Sequence, residues 1–159
     1  VRVGNGLDDA GPVGHEHLGL ELAGGPGGEP PVELAEVDAR GRDLSGLRAA
    51  GALLRDADFR EAKLVAADFS RANLSIAKLR NADLRQASFR DADVEGVDFC
   101  GANLSGADFR GTTLFGSTFV DEAAGLAATI DATTQFDDEK LAELAPAQAD
   151  FIRRSQGQC

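Results

Sequence analysis

Apolar residues recur at intervals of five along the middle of the chain, from Arg42 to Asp121. This stretch divides into sixteen consecutive five-residue units, or pentads, with no break in register. The third position of each pentad is Leu or Phe except at Ala49 and Val94, and the first position is most often Ala. Positions two and four are mostly polar. The pattern therefore predicts that positions one and three face a common core and that positions two and four face solvent.

A repeat of five residues fits neither an α-helix nor a straight β-strand. On a helix, at 100° per residue, the pentad centres would spread around the whole cylinder. In a strand, an odd repeat would place alternate Leu and Phe residues on opposite faces. The chain must therefore turn a corner within each pentad. This predicts an all-β solenoid whose coils stack through backbone hydrogen bonds.

The order of the pentad centres indicates how many sides each coil has. Aliphatic residues and Phe alternate along the chain apart from Ala49 and Leu79. In a four-sided coil this alternation gives each wall one type of residue, whereas a three-sided coil would mix the two types. We name the four walls after their first pentad centres: Leu44, Ala49, Leu54 and Phe59. The Leu44 wall is then predicted to hold a stack of Leu, and the Ala49 wall a stack of Phe.

The units ADFRE, ANLSI, ADLRQ, ANLSG and ADFRG resemble the A(D/N)LXX signature of the pentapeptide-repeat family. The resemblance covers about half of the chain and implies a right-handed quadrilateral β-helix, here of about four to five coils. Family members include DNA-mimicking proteins that bind type II topoisomerases, and many proteins of no known activity in cyanobacteria and plastids. In the topoisomerase-binding members a C-terminal helix joins two barrels into a dimer. The resemblance therefore also suggests a homodimer for this chain.

The two ends of the chain depart from the repeat. Residues 1–31 are rich in Gly and Pro and acidic, and are predicted to form an extended arm. A weaker pentad pattern begins at residue 32, so the β-helix is predicted over residues 32–121. Residues 122–159 are predicted to form a C-terminal cap with one or two short α-helices. In that cap Pro146 either ends the first helix or begins a second.

Positions two, four and five suggest how the corners are built. Asp or Asn predominates at position two and Arg recurs at position four, which predicts polar side chains that satisfy the turn backbone and lateral Arg–Asp pairs. Gly fills position five in seven pentads, but residues as different as Asp56, Ala66 and Ile76 fill others. This variety predicts that the corner does not require a positive φ.

The net charge of -11 is concentrated at the ends of the chain. Residues 1–41 carry -6 and residues 122–159 carry -4, whereas the sixteen pentads carry -1. A DNA mimic needs acidic residues aligned along one wall, as phosphates are along a groove. No wall forms such a strip, so DNA mimicry is the second hypothesis and no nucleic-acid partner is predicted.

Outward apolar residues indicate a protein interface. The Leu54 wall carries Leu53, Ile76 and Phe115, and the neighbouring Leu44 wall carries Val65. Aliphatic and aromatic anchors are typical of interface centres, so these four residues form the predicted protein-binding site. The alternative is that they are scattered surface residues and that the C-terminal tail covers Phe115.

Residue types suited to catalysis or metal binding are scarce. The chain has no Tyr and no Trp, and its two His residues, His15 and His17, lie in the arm. Cys100 is predicted at an outward position and Cys159 ends the chain, neither within a CxxC motif. A disulfide between them is left open. We predict no enzymatic activity, no cofactor and no metal site.

These observations predict a non-enzymatic scaffold, an accessory subunit of a larger protein assembly. The alternative function is inhibition or protection of a type II topoisomerase. No apolar run reaches the ~18 residues of a membrane span, although an accessory subunit could dock on a membrane protein complex. The missing initial Met favours a cleaved presequence and an organelle or extracytoplasmic compartment, with the thylakoid lumen suggested by the resemblance and the cytoplasm as alternative.

Overall fold

The computed structural model describes residues 33–157. Parallel β-bridges join the position-two residue of each pentad to the position-two residue one coil further on, from Glu33–Leu53 to Asp98–Thr118. Each such step contains four pentads, so every coil has four sides and successive coils stack in register. The four-sided solenoid predicted from the alternation of Leu and Phe is confirmed.

Two sets of backbone hydrogen bonds define each side of the coil. The amide of Leu74 donates to the carbonyl of Asp93 in the next coil at 2.8 Å, and this bond type repeats up each wall. The amide of Ala77 donates to the carbonyl of Leu74 at 2.8 Å, which closes the corner between two pentads. The second bond joins residues three apart and so forms a tight turn, with position five as its third residue.

The prediction that the corner does not require a positive φ is wrong. Every position-five residue from Gly46 to Gly116 has a φ between 55° and 76°. A four-residue turn with a positive φ at its third residue is typical of type II geometry, and the coil repeats this turn at every corner. Left-handed backbone costs a non-Gly residue about 1–2 kcal/mol. The stacking hydrogen bonds of the coil must therefore offset this cost wherever Gly is absent.

Aromatic rings fill the centre of the barrel. Along the Ala49 wall the ring of Phe109 stacks on Phe89 at 4.7 Å and on Phe136 at 4.8 Å between centroids. On the opposite wall Phe99 stacks on Phe119 at 5.0 Å. Rings of the two walls meet edge to face, with 5.4 Å between Phe99 and Phe109. The predicted Phe stack is confirmed, and each such contact adds roughly 0.5–1.5 kcal/mol beyond the burial of apolar area.

Two further sides of the coil follow the last pentad, and the sequence pattern did not reveal them. The strands β1 (Val120–Asp121) and β2 (Leu126–Ala127) form a short antiparallel hairpin. Beyond the hairpin, Thr129 pairs with Asn103 and Gln135 pairs with Asp108 through parallel β-bridges. The hairpin and the turn between these two sides interrupt the five-residue spacing, which hid the continuation of the coil.

Two short helices follow the last side of the coil: α1 (Asp138–Leu141) and α2 (Pro146–Ser155). Pro146 begins α2, which is one of the two alternatives that the sequence left open. Leu141 and Ile152 are fully buried among the core residues of the barrel. Asp137 lies at the N-cap of α1, but its side chain makes no bond to that helix. Instead its Oδ2 accepts the amide of Gly111 at 2.6 Å.

Two more side chains of the C-terminal segment accept backbone donors of the top coil. Glu143 Oε2 accepts the amide of Leu114 at 2.9 Å. Gln148 Oε1 accepts the amides of Phe119 at 2.7 Å and Val120 at 3.0 Å, and Gln148 Nε2 donates to the Val120 carbonyl at 2.9 Å. In lower coils the next coil supplies such partners. An unsatisfied buried donor costs about 1–3 kcal/mol, so these side chains complete the ladder where the coils end.

The two classes of corner glycine differ in their expected response to Ala. Gly46 and Gly111 have φ values of +74° and +76°, but a Cβ on Gly46 meets open space whereas one on Gly111 would collide with Asp91 Oδ1. We expect Gly46→Ala to lower the free energy of unfolding by about 1 kcal/mol, and Gly111→Ala by roughly 1 kcal/mol more. Urea unfolding measures both losses. Asp91→Ala should recover the difference, and equal losses in the two single variants would contradict the steric explanation.

The role of Gln148 at the top coil is tested by Gln148→Leu. This change keeps the size of the side chain and removes three hydrogen bonds, so we expect a loss of about 2–3 kcal/mol. Amide hydrogen exchange should accelerate at Phe119 and Val120. Gln135→Leu is the matched control, because the exposed Gln135 pairs through its backbone. Unchanged exchange at Phe119 and Val120 would show that Gln148 does not complete the ladder.

Candidate functional site

Two of the four predicted interface residues are exposed to solvent. Phe115 is 64% exposed and Ile76 is 43% exposed, and they are the large apolar side chains that are exposed within residues 33–157. The C-terminal segment within that range therefore leaves Phe115 uncovered, contrary to the alternative considered above. Leu53 and Val65 are half-buried.

Ile76 and Phe115 lie at the same corner of the barrel, separated by one coil. The amide of Ile76 donates to the Glu95 carbonyl at 2.7 Å, and the amide of Gly96 donates to the Phe115 carbonyl at 2.9 Å. Ile76 Cγ2 lies 3.2 Å from the point where a Cβ of Gly96 would be. Gly96 and Gly116 are exposed and lack side chains, so the column of position-five residues above Ile76 lies open beside Phe115, and we call this open column the trough. We call Ile76, Gly96, Phe115 and Gly116 the apolar corner.

The other two predicted residues lie away from the apolar corner. Leu53 occupies position two of the Leu54 wall and pairs with Asn73 in the next coil, so it lies lower on that wall. Val65 belongs to the Leu44 wall and faces a different side of the barrel. The structure thus brings Ile76 and Phe115 together and leaves Leu53 and Val65 apart from them.

The backbone of Ile76 is unusual for its residue type. Its φ of 55° lies in the left-handed region, where β-branched residues are genuine outliers. The side chain is largely exposed, so burial in the core offsets little of this cost. Exposed, strained positions that break a local rule are typical of functional sites. The sequence signal for this strain is the Ile at position five, where Gly stands in the two coils above.

Four other pentads of the barrel hold a closely paired Asp and Arg. In four pentads Arg at position four binds the Asp at position two of the same pentad through its guanidinium: Asp38–Arg40, Asp58–Arg60, Asp83–Arg85 and Asp108–Arg110. The Asp Oδ1 also accepts the amide two residues on, as from Arg60 to Asp58 at 3.2 Å. The prediction that these Asp satisfy the turn backbone is confirmed. The pairs form mainly within a pentad, although Arg80 reaches Asp98 of the next coil.

The charges beside the apolar corner follow a different pattern. Glu95 stands two residues after Asp93, where the paired pentads have Arg. Asp93 Oδ1 accepts the amide of Glu95 at 3.0 Å and its Oδ2 accepts the hydroxyl of Ser75 at 3.1 Å. Within residues 33–157, Asp93 and Glu95 form no ion pair. The apolar corner is therefore bordered by two carboxylates, those of Asp93 and Glu95, without a cationic partner in the described part of the chain.

Cys100 is buried, which corrects the prediction that it faces outward. It lines a cleft of about 410 Å³ together with Arg80, Val120 and Gln148, where the hairpin and α2 lie against the Phe59 wall. Burial raises the pKa of the Cys100 thiol to about 11, so the thiol is protonated at neutral pH. Cys100 is free, and Cys159 lies outside the described residues.

Metal binding and membrane insertion are the remaining possibilities that the sequence raises. His15 and His17 fall outside it. From residue 33 to residue 157, no group of His, Cys, Asp and Glu side chains is arranged to hold a metal ion. The helices in this range are too short and too polar to cross a bilayer.

Comparison with known proteins places the repeat among pentapeptide repeats. The family model for these repeats matches in 8 copies, over residues 43–75, 67–106 and 77–116. The solved pentapeptide repeat protein Rfr23 from the cyanobacterium Cyanothece 51142 is 26% identical, with a TM-score of 0.50, over 68% of this chain and 66% of that one. No curated protein matches the chain.

Two further solved structures are similar at lower identity. A trypsin-treated form of QnrB1, a plasmid-mediated fluoroquinolone resistance protein, is 20% identical with a TM-score of 0.58, over 73% of this chain and 55% of that one. A pentapeptide repeat protein from the Arabidopsis thaliana thylakoid lumen is 22% identical over 91% of this chain and 93% of that one, with a TM-score of 0.35. The chain spans less than two thirds of the length of Rfr23 and QnrB1.

The Asp–Arg pairs predict how stability depends on pH. Hydrogen bonds from Arg60, Arg85 and Arg110 lower the pKa of Asp58, Asp83 and Asp108, and Arg40 lowers the pKa of Asp38 to about 2. Because these carboxyls have a lower pKa in the folded state than their ordinary 3.8, their contribution is complete above that value and is lost as pH falls through the folded pKa.

We therefore expect the melting temperature to be nearly constant from about pH 7 to about pH 5 and to fall from about pH 4 to about pH 2. Thermal unfolding followed by circular dichroism measures this profile. Arg85→Gln should shrink the fall, because it removes one of the pairs. A melting temperature that rises on acidification would contradict the assignment of the pairs.

Proposed function

The chain belongs to the pentapeptide-repeat family through residues 43–116, and from this premise we propose that it is a non-enzymatic scaffold that binds a protein partner. Its fold is the right-handed four-sided β-helix of the solved pentapeptide-repeat structures. The observation that carries the proposal is the apolar corner, where Phe115 and Ile76 are exposed at 64% and 43%.

The energetics of the apolar corner favour a covered state. Full burial of a side chain such as Phe or Ile stabilises by about 1.5–3 kcal/mol relative to exposure. At Ile76 the left-handed backbone adds a cost that Gly would avoid. Aliphatic and aromatic anchors of this kind dominate the energy of protein interfaces. A partner that covers both side chains would bury them, and this burial would stabilise the complex relative to the free chain.

The rigidity of the barrel supports a scaffold role. Backbone hydrogen bonds from Ile76 to Glu95 and from Gly96 to Phe115 hold the corner in the stacked ladder. A preorganised surface loses little conformational entropy when it binds. We propose that the four to five coils act as a stiff spacer. In the same proposal α1 and α2 form a cap, and the chain is an accessory subunit of a larger assembly.

The packing of the C-terminal helices argues against the homodimer that the family resemblance suggested. Leu141 of α1 and Ile152 of α2 are already fully buried within one chain. A dimer built on these apolar residues would require the cap to leave its own barrel. We therefore favour a different protein as partner over a second copy bound through α1 and α2.

Protection of a type II topoisomerase is the second candidate function. The likeness to QnrB1, at 20% identity, concerns the fold alone. Four Asp–Arg pairs neutralise part of the acidity of the barrel, and its sixteen pentads carry a net charge of only -1, whereas a DNA mimic needs an unpaired acidic strip. This candidate therefore ranks below the scaffold. The organelle or extracytoplasmic location stays a prediction.

The proposal is tested with a variant that removes the apolar corner and keeps the fold. Phe115→Ser together with Ile76→Gly deletes both exposed side chains, and Gly suits the left-handed backbone at position 76. We expect the melting temperature to be unchanged or higher. Affinity purification from native extract, quantified by mass spectrometry, should recover a stoichiometric partner with the wild-type chain and lose it with the variant.

Leu53→Ser together with Val65→Ser is the matched control, because it removes the other two predicted interface residues from elsewhere on the barrel. This control should keep the partner. A wild-type chain that elutes from native extract as a lone monomer would contradict the scaffold proposal. Unfolding of the Phe115→Ser, Ile76→Gly variant would instead show that the corner is structural.

A further inference from the structure

We propose that the segment docking on the apolar corner is basic, an apolar side chain flanked by Lys or Arg. This inference rests on the proposed scaffold function and concerns the chemistry of its partner. It follows from the charges that border the corner. Asp93 and Glu95 lie in the coil directly below Phe115, since the Phe115 carbonyl accepts the amide of Gly96 at 2.9 Å.

Asp93 and Glu95 break the rule that governs the paired pentads. Where Asp58 and Asp108 each bind an Arg two residues on, Asp93 has a second carboxylate at that place. Two neighbouring acids without a cation repel each other, so this arrangement stabilises the free barrel less than the Asp–Arg pair does. A cationic group supplied by a partner would provide the missing pair.

The position of these carboxylates suits a ligand at the corner. Asp93 is held in place, because its two oxygens accept the Glu95 amide and the Ser75 hydroxyl. Glu95 is exposed, and its carbonyl accepts the amide of Ile76 at 2.7 Å. The Glu95 backbone therefore lies between the two apolar anchors. A partner side chain in the trough would have its flanking residues within reach of both carboxylates.

The top of the same wall adds further negative charge. Glu143 Oε2 binds the amide of Leu114, the residue before Phe115, at 2.9 Å. Asp138 and Glu139 are exposed in the first turn of α1. Two cations lie at this edge: Lys140 pairs with Glu143 at 2.7 Å, and Arg110 interacts electrostatically with Asp137. Acidic groups therefore lie both below and above the exposed Phe115.

These charges select among classes of partner. Phosphate groups of nucleic acids and of anionic lipid surfaces would be repelled by the unpaired carboxylates. A protein segment with Lys or Arg beside an apolar residue complements both the trough and its border. Coils are spaced by about 4.8 Å, so Ile76 and Phe115, two coils apart, are separated by about 10 Å along the wall.

The test uses the full chain labelled with ¹⁵N and three short synthetic peptides of the sequences KRLFRK, EELFEE and KRSSRK. We expect KRLFRK to shift the amide signals of Gly96 and Gly116, and the other two peptides to leave them unmoved at about 1 mM. Glu95→Arg places an Arg two residues after Asp93, as in the paired pentads, so the fold should be kept. It should weaken binding of KRLFRK by about tenfold.

Glu122→Arg is the matched control, because it makes the same change of charge on the exposed hairpin turn and should leave binding unchanged. Equal binding of KRLFRK and EELFEE at the corner, lost in Phe115→Ser, would overturn the basic specificity and leave the scaffold function standing. Failure of KRLFRK to shift Gly96 and Gly116 would also overturn the inference. The scaffold function would then be decided separately, by the partner recovered from native extract.

Discussion

The left-handed corner turn at every fifth residue is the constraint on which the other features of this protein depend. It bends the chain after each short side, so positions one and three point inward on all four walls. It also stacks the position-five residues of successive coils directly above one another. A side chain at one corner is therefore limited by the residue in the coil above, as Asp91 is by Gly111. The surface side chains of the barrel therefore form columns, each with one residue from every coil.

The same geometry explains why the apolar corner differs from the rest of the barrel. Four pentads elsewhere pair Asp with Arg, and the sixteen pentads together are almost neutral. At the apolar corner the pairs are missing, two glycines open a trough, and Ile76 keeps a backbone conformation that suits Gly better. These departures occur together, and none of them improves the packing of the core. A binding role accounts for all of them at once.

The repeat was highly predictable from sequence because its period excludes both regular elements and its Leu–Phe alternation distinguishes four sides from three. Ile76 and Phe115 were also accessible, since both stand at positions where the repeat is polar or Gly. Three features could not be predicted from the sequence. The positive φ at non-Gly corners depends on the stacking ladder, which the residue type of a single position does not reveal. The sides at Thr129 and Gln135 lie beyond a hairpin that interrupts the spacing. The burial of Cys100 depends on contacts with a distant helix.

Site-specific photocrosslinking tests the central claim, that the apolar corner is where this scaffold meets its protein partner. A photoreactive benzoylphenylalanine would replace Phe115 in one sample and Val65, on another wall, in a second. After irradiation in native extract, the account predicts a single prominent adduct from position 115 and none from position 65. Adducts of equal yield from both positions, or an adduct from position 65 alone, would contradict it.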